Sequence, residues 1–109
     1  MEIKIEPLSV NKCWQGRRFK TPIYKKWREL ATILIKQNTK KTVSETCSIY
    51  IDFYVKNYKM VDIDNFLKPF LDALVEARAI KDDRLIETVN AKKIAVKTKE
   101  EEKIVYRII

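Results

Sequence analysis

Asp62, Asp64, Lys68 and the acidic pair Asp82–Asp83 crowd into one stretch of a chain that is otherwise strongly basic. Carboxylate oxygens are what a hard divalent cation binds. Magnesium takes a few of them and keeps waters and substrate phosphate oxygens in its other positions. Such an ion lowers the pKa of a bound water, polarises phosphorus and stabilises charge on the leaving oxygen. An ammonium such as that of Lys68 can bring a point positive charge to the phosphate or the leaving group. The chemistry these residues imply is metal-assisted hydrolysis of a polyanion's phosphodiester.

Each of these side chains also has a plainer reading. Asp62 or Asp64 can cap a helix, Asp64 and Lys68 can form an i,i+4 ion pair, and Asp82–Asp83 can be a solvated turn. What the chain lacks narrows the chemistry. It contains no histidine, which excludes Ser-His triads, histidine-based nucleases and HExxH zinc enzymes. The two cysteines, Cys13 and Cys47, have no CxxC spacing and read as free thiols without a base to activate them. Glu101-Glu102-Lys103 offers the Glu-x-Lys of a restriction-enzyme site, but lies in a charge run that reads as a solvated turn.

The elements that must position the acidic residues follow from periodicity. Residues 2–6 alternate as a short strand, and Pro7 to Thr21 reads as a loop. A helix is predicted from Pro22 to about Gln37, with Thr21 as N-cap, Pro22 at the first helical position, and Ile23, Trp27, Leu30, Ile33 and Leu34 at helical spacing. Thr46 to Tyr58 alternates as a strand. The chain is expected to stay extended through residues 61–64, which would point Asp62 and Asp64 to the same side.

A second helix over about 64–78 sets Ile63, Phe66, Leu67, Phe70, Leu71, Leu74 and Val75 toward the core and Asp64, Lys68 and Asp72 on the exposed face. Pro69 predicts a distorted first turn or a late start for that helix. Leu85–Thr98 and Lys103–Ile109 read as a hairpin around a charged turn. The order β-α-β-α-β-β describes an α+β fold: one domain over residues 1–109, with two helices on one face of a small mixed, largely antiparallel sheet.

Composition agrees with a single soluble domain. The 109 residues are 46% hydrophobic and 35% charged, and no apolar run is long enough to span a bilayer. The N-terminus has no signal-peptide pattern, so the expected location is cytoplasmic. With 23 Lys+Arg against 15 Asp+Glu the net charge is +8, which favours a nucleic-acid partner through counterion release. Lys12, Arg17, Arg18, Lys20, Lys25, Lys26 and Arg28 are interleaved with Trp14, Phe19, Tyr24 and Trp27. Cations of this kind take phosphates, while exposed aromatics stack on bases or wedge a junction. Trp27 reads as a core residue of the first helix, Tyr24 either as core or as a nucleic-acid contact, and Trp14 and Phe19 as the aromatics for nucleic acid. Lys92–Lys93 reads either as a second phosphate patch or as an exposed strand edge.

The run Asp62-Ile-Asp64-Asn65, Lys68, Asp72-Ala-Leu74 and Asp82-Asp83 resembles the RusA family of Holliday junction resolvases, small metal-dependent endodeoxyribonucleases often carried by prophages. Ser9-Val10-Asn11 with Trp14, then Arg17-Arg18, Lys20, Tyr24 and Trp27, is similar to that family's N-terminal Ser-x-Asn loop and the basic-aromatic stretch after it. The resemblance covers most of residues 5–95. It implies that Asp62, Asp64 and Asp83 bind magnesium or manganese, and that Lys68 is the catalytic lysine. Asp82 becomes a neighbour of the site, and Asp72 a structural residue. Asn11, Lys12, Trp14, Arg17, Arg18 and Lys20 fall to nucleic-acid binding.

The resemblance further implies a homodimer that nicks opposed strands of a four-way junction symmetrically, in DNA recombination and repair. The alternatives are a non-catalytic nucleic-acid-binding module, or a nuclease for other branched DNA. One departure stands out: the family's glycine after Asp-Ala-Leu is replaced by Arg78, at roughly 1 kcal/mol if a left-handed backbone is kept there.

Overall fold

The structure is a computed structural model. It describes residues 1–15 and 19–109, and at residues 14, 15 and 19 the backbone only. The elements run β1 (Glu2–Ile3), β2 (Trp14–Gln15), β3 (Phe19–Lys20), α1 (Pro22–Asn38), β4 (Cys47–Val55), α2 (Asp64–Glu76), β5 (Ile86–Ala95) and β6 (Lys103–Ile108), with short 3-10 turns at Val10–Lys12, Asp83–Leu85 and Lys99–Glu101. This is the expected α+β architecture.

The main sheet has the order β1-β6-β4-β5. β4 pairs antiparallel with β6 but parallel with β5, so α2 is the crossover of a β4-α2-β5 unit. The hairpin expected between the last two strands is therefore absent from the sheet order. β4 lies between them, and the charged turn carries the chain across it. A second correction concerns Pro7 to Thr21, read as loop: β2 and β3 pair there as a two-stranded ribbon.

β4 buries Cys47, Ile49, Ile51, Phe53 and Val55 on one face, while Ser48, Tyr50, Asp52 and Tyr54 stay partly or fully open on the other. The helices cover the buried face. Phe70 meets Phe53 and Tyr106 edge-on, with ring centroids 6.1 and 5.3 Å away. Of the described residues, no helix is long and apolar enough to cross a membrane.

Thr21 caps α1 as expected, accepting a hydrogen bond from the Tyr24 amide at 3.1 Å, with Pro22 in the first turn. The buried stripe of α1 is Tyr24, Trp27, Ala31 and Ile35, whereas Ile23, Leu30 and Ile33 are 58%, 47% and 54% exposed. The helix is thus turned away from the face with most aliphatic residues. Trp27 fixes that rotation, since its indole N–H donates to the Glu6 carbonyl at 2.6 Å, and small Ala31 lets the backbone approach its neighbours.

α2 begins at Asp64 and runs through Pro69 without a delayed start, burying Phe66, Pro69, Phe70, Ala73 and Leu74. It ends in a Schellman turn, in which the Arg78 amide donates to the Val75 carbonyl at 3.1 Å and the Ala79 amide to the Leu74 carbonyl at 3.0 Å. Arg78 takes φ 60°, the left-handed conformation that glycine would adopt without cost. The single glycine of the chain is Gly16, so Arg78 carries this strain, and the chain turns back toward the sheet through a bridge between Ile80 and Val43.

Candidate metal and phosphate site

The entry to α2 differs from the extended segment expected for residues 61–64. Ile63 is the N-cap residue with φ -58° and ψ -38°, already helical, and the Asn65 and Phe66 amides donate to the Asp62 and Ile63 carbonyls, both at 3.1 Å. A helical Ile63 removes the two-residue alternation that would have pointed Asp62 and Asp64 the same way. Neither aspartate caps the helix, for no side chain closes its N-terminus. Both are exposed, and no ion pair among the described residues engages either of them. Asp64 stands in the first turn, where the helix's positive end favours an anion.

Lys68 lies one turn on, its side chain 65% exposed, and donates to Asp72 Oδ1 at 2.9 Å. The i,i+4 pair is thus made with Asp72 rather than with Asp64. That hydrogen bond is the main reason the Lys68 pKa is raised, and the charge of Asp83 adds to it. Asp83 is therefore within electrostatic reach of Lys68.

Its neighbour Asp82 is engaged locally. It caps the Asp83–Leu85 turn, accepting from the Arg84 amide at 2.9 Å and from the Arg84 guanidinium at 2.8 and 3.1 Å. Those bonds hold its carboxyl well below the usual carboxylate range. Asp82 is thus a turn residue in structure.

A network behind Lys68 joins the helices. Arg28 on α1 donates to Glu76 on α2 and to the Tyr24 hydroxyl, the latter at 2.9 Å. Tyr24 is buried, and burial raises its pKa against the opposing charge of Arg28. Cys13 lies within the same field. Burial first, and the charge of Asp72 second, push its thiol up to about 11, so it stays protonated at neutral pH and offers no thiolate nucleophile. Sequence reasoning missed Tyr24 and Arg28 as members of this network, though their i,i+4 spacing was visible.

The site fits a cation in donor chemistry but not as a closed cage. Hard carboxylate oxygens are present at Asp62, Asp64 and Asp83. Even so, among the described residues no three histidine, cysteine, aspartate or glutamate side chains stand close enough together to hold a metal ion. Asp64 opens α2, and Asp83 follows the helix on the turn Asp83–Leu85, which packs back against it. Lys68 lies between the two in the sequence.

The nucleic-acid residues divide. Asn11 and Lys12 are exposed on the turn Val10–Lys12, which packs against α2. Lys12 also lines a hollow of about 360 Å³ with Ser9, Lys56, Asn57, Val61 and Phe66, beside the chain that leads into Asp62. The Lys20 ammonium sits 5.6 Å from the centre of the Tyr24 ring. Trp14 is placed on β2 by its backbone, and Arg17 and Arg18 lie outside the described residues. Trp27 is a core residue, as expected, and Tyr24 proves to be one as well.

The Glu-x-Lys alternative is consumed by structure. Glu101 accepts from the Thr98 amide and hydroxyl, Glu102 accepts from the Lys56 amide, and Lys103 pairs with Glu2 at 3.1 Å.

No curated protein matches the chain. The family model described as Endodeoxyribonuclease RusA matches residues 8–107, a span that takes in the turn at Val10–Lys12, both helices, the helix entry with Asp62 and Asp64, Lys68, and the turn with Asp82 and Asp83. With nearly its whole length so matched, the chain belongs to the RusA endodeoxyribonuclease family.

Proposed function

We propose that this endodeoxyribonuclease is magnesium-dependent, with manganese as the substitute ion. In this reading it works as a homodimer that resolves four-way DNA junctions by paired, symmetric nicks in recombination and repair. A junction has two equivalent scissile phosphates, which a two-fold protein matches. The observation that carries the reading is the α2 entry: Asp62 and Asp64 are exposed and make no ion pair among the described residues, one turn from an exposed ammonium, in a protein of net charge +8.

In this reading Asp62, Asp64 and Asp83 hold the ion. The open arrangement is compatible with magnesium, which binds through one or two carboxylates and fills its shell with waters and phosphate oxygens. When bound, the ion supplies Lewis acidity and an acidified water. Asp72 keeps the Lys68 ammonium protonated and presented on the exposed face until a phosphate oxygen competes for it. Lys68 then stabilises the charge that develops on that phosphate. Asn11, Lys12, Trp14, Arg17, Arg18 and Lys20 bind the flanking DNA.

The test is a mobile synthetic junction incubated with and without magnesium and read for nicks at symmetric positions. Asp64→Asn is expected to abolish cleavage while junction binding stays or improves, because a negative charge facing the DNA is removed. A variant that cuts at the wild-type rate overturns the site. Salt-sensitive binding without any cation-dependent nicking by the wild type would instead leave a binding module.

A further inference from the structure

Lys93 lies on β5 in register with Phe53, one of the fully buried residues of β4. It is thus on the helix-facing side of the sheet, and it is only partly exposed. A lysine at such a position must take its ammonium to acceptors or to water. Here it has acceptors: Lys93 Nζ donates to the Tyr58 carbonyl at 2.5 Å and to the Val61 carbonyl at 2.8 Å, and it lies 4.4 Å from the centre of the Tyr58 ring.

The segment it grips is otherwise lightly held. Residues 56–60 are exposed, Met60 is 80% exposed, and the segment's own backbone contributes the bond from the Met60 amide to the Asn57 carbonyl at 3.0 Å. The next residue after Val61 is Asp62, whose carbonyl starts the first turn of α2.

We propose that Lys93 is a positioning residue for Asp62: it fixes the Tyr58–Val61 loop to the sheet, and through that loop sets where the Asp62 carboxylate stands. This inference rests on the reading of Asp62 as a cation ligand, and it replaces both sequence-based readings of Lys93, as a phosphate contact and as an idle strand edge. A charged donor bound to two carbonyls and stacked on a ring is pre-committed. A lysine that served DNA phosphates would have to give up all three contacts to reach them.

The experiment compares wild type, Lys93→Met and Lys93→Arg in three measurements. Amide hydrogen exchange across residues 58–62, without metal or DNA, is expected to speed up about tenfold in Lys93→Met, the loss of a charge-assisted hydrogen bond. The magnesium concentration for half-maximal junction cleavage should rise about tenfold, as for residues that orient a ligand from behind. Lys93→Arg, which keeps the charge and the donors, should recover most of both. Junction binding without magnesium should keep its affinity and its salt dependence.

A salt slope reduced by about 1 with unchanged loop exchange would make Lys93 a phosphate contact and overturn the proposal. Unchanged exchange together with unchanged magnesium dependence would overturn it as well. If Lys93→Met does not fold, Lys93→Gln, judged by its thermal midpoint first, is read in the same three measurements and by the same outcomes. A wild type that never cleaves sinks the nuclease reading instead, and the exchange measurement still decides whether Lys93 holds the loop.

Discussion

The two places where aspartates gather, the entry to α2 and the turn after it, look alike in sequence and are built in opposite ways. At Asp82–Leu85 the chain satisfies itself, for Asp82 accepts from the backbone and side chain of Arg84, two residues away. At residues 61–64 nothing local closes the helix. Ile63 occupies the N-cap without a side-chain bond, and the loop before it is tied down from β5 by Lys93. The Asp82 carboxylate is largely committed to Arg84, whereas those of Asp62 and Asp64 make no ion pair among the described residues. Function on this chain is to be sought where the local hydrogen bonds have been left unmade.

The sharpest way to break that contrast lies within the second acidic pair. Asp83→Asn is expected to lower the single-turnover cleavage rate by about 100-fold or more, the scale of losing one electrostatic contact to the reacting charge. Asp82→Asn should leave the rate near wild type and only loosen the turn. Equal losses from both would mean that Asp82, despite its bonds to Arg84, belongs to the site.

The next test concerns Lys68. Its pKa is raised chiefly by Asp72, so the protonated form, and any activity that needs it, is present below that pKa and lost as pH rises through it. Asp72→Asn removes the main cause, so the high-pH limb of the cleavage profile should move to lower pH, with little change at pH 7. An unmoved limb would show that Lys68 does not act as a cation in the reaction.

The smallest effect is on stability. Arg78→Gly should stabilise the fold by about 1 kcal/mol, relieving a left-handed residue at φ 60°, and raise the thermal midpoint by about 4 °C. Unchanged thermal stability would mean that the greater freedom of glycine in the unfolded chain cancels the relief.

What was legible in the sequence was local. Thr21-Pro22 marked the start of α1, the alternation of Cys47 to Val55 marked the central strand, and the stripe Asp64, Lys68, Asp72 marked the exposed face of α2. The glycine-to-arginine departure at position 78 also pointed to the residue that carries the backbone strain. What failed depended on partners distant in the chain. Adjacent strands with a charged turn between them suggested a hairpin, but β5 finds its place parallel to β4 and β6 slips in on the other side. Counting apolar residues favoured the Ile23–Leu30 face of α1, yet one indole bond to Glu6 turned the helix elsewhere.

Lys68 had an aspartate four residues away in both directions. The helix's positive end competes for Asp64, which leaves Asp72 as the partner. The grip of Lys93 on the loop could not be read, because its acceptors are backbone carbonyls more than thirty positions earlier.

The position of β6 has a consequence for assembly. The strand is the antiparallel neighbour of the central strand, and it contributes Ile104 and Tyr106, both fully buried against the helices. A chain in which β6 has yet to dock therefore carries every proposed acidic ligand on a scaffold still missing a wall.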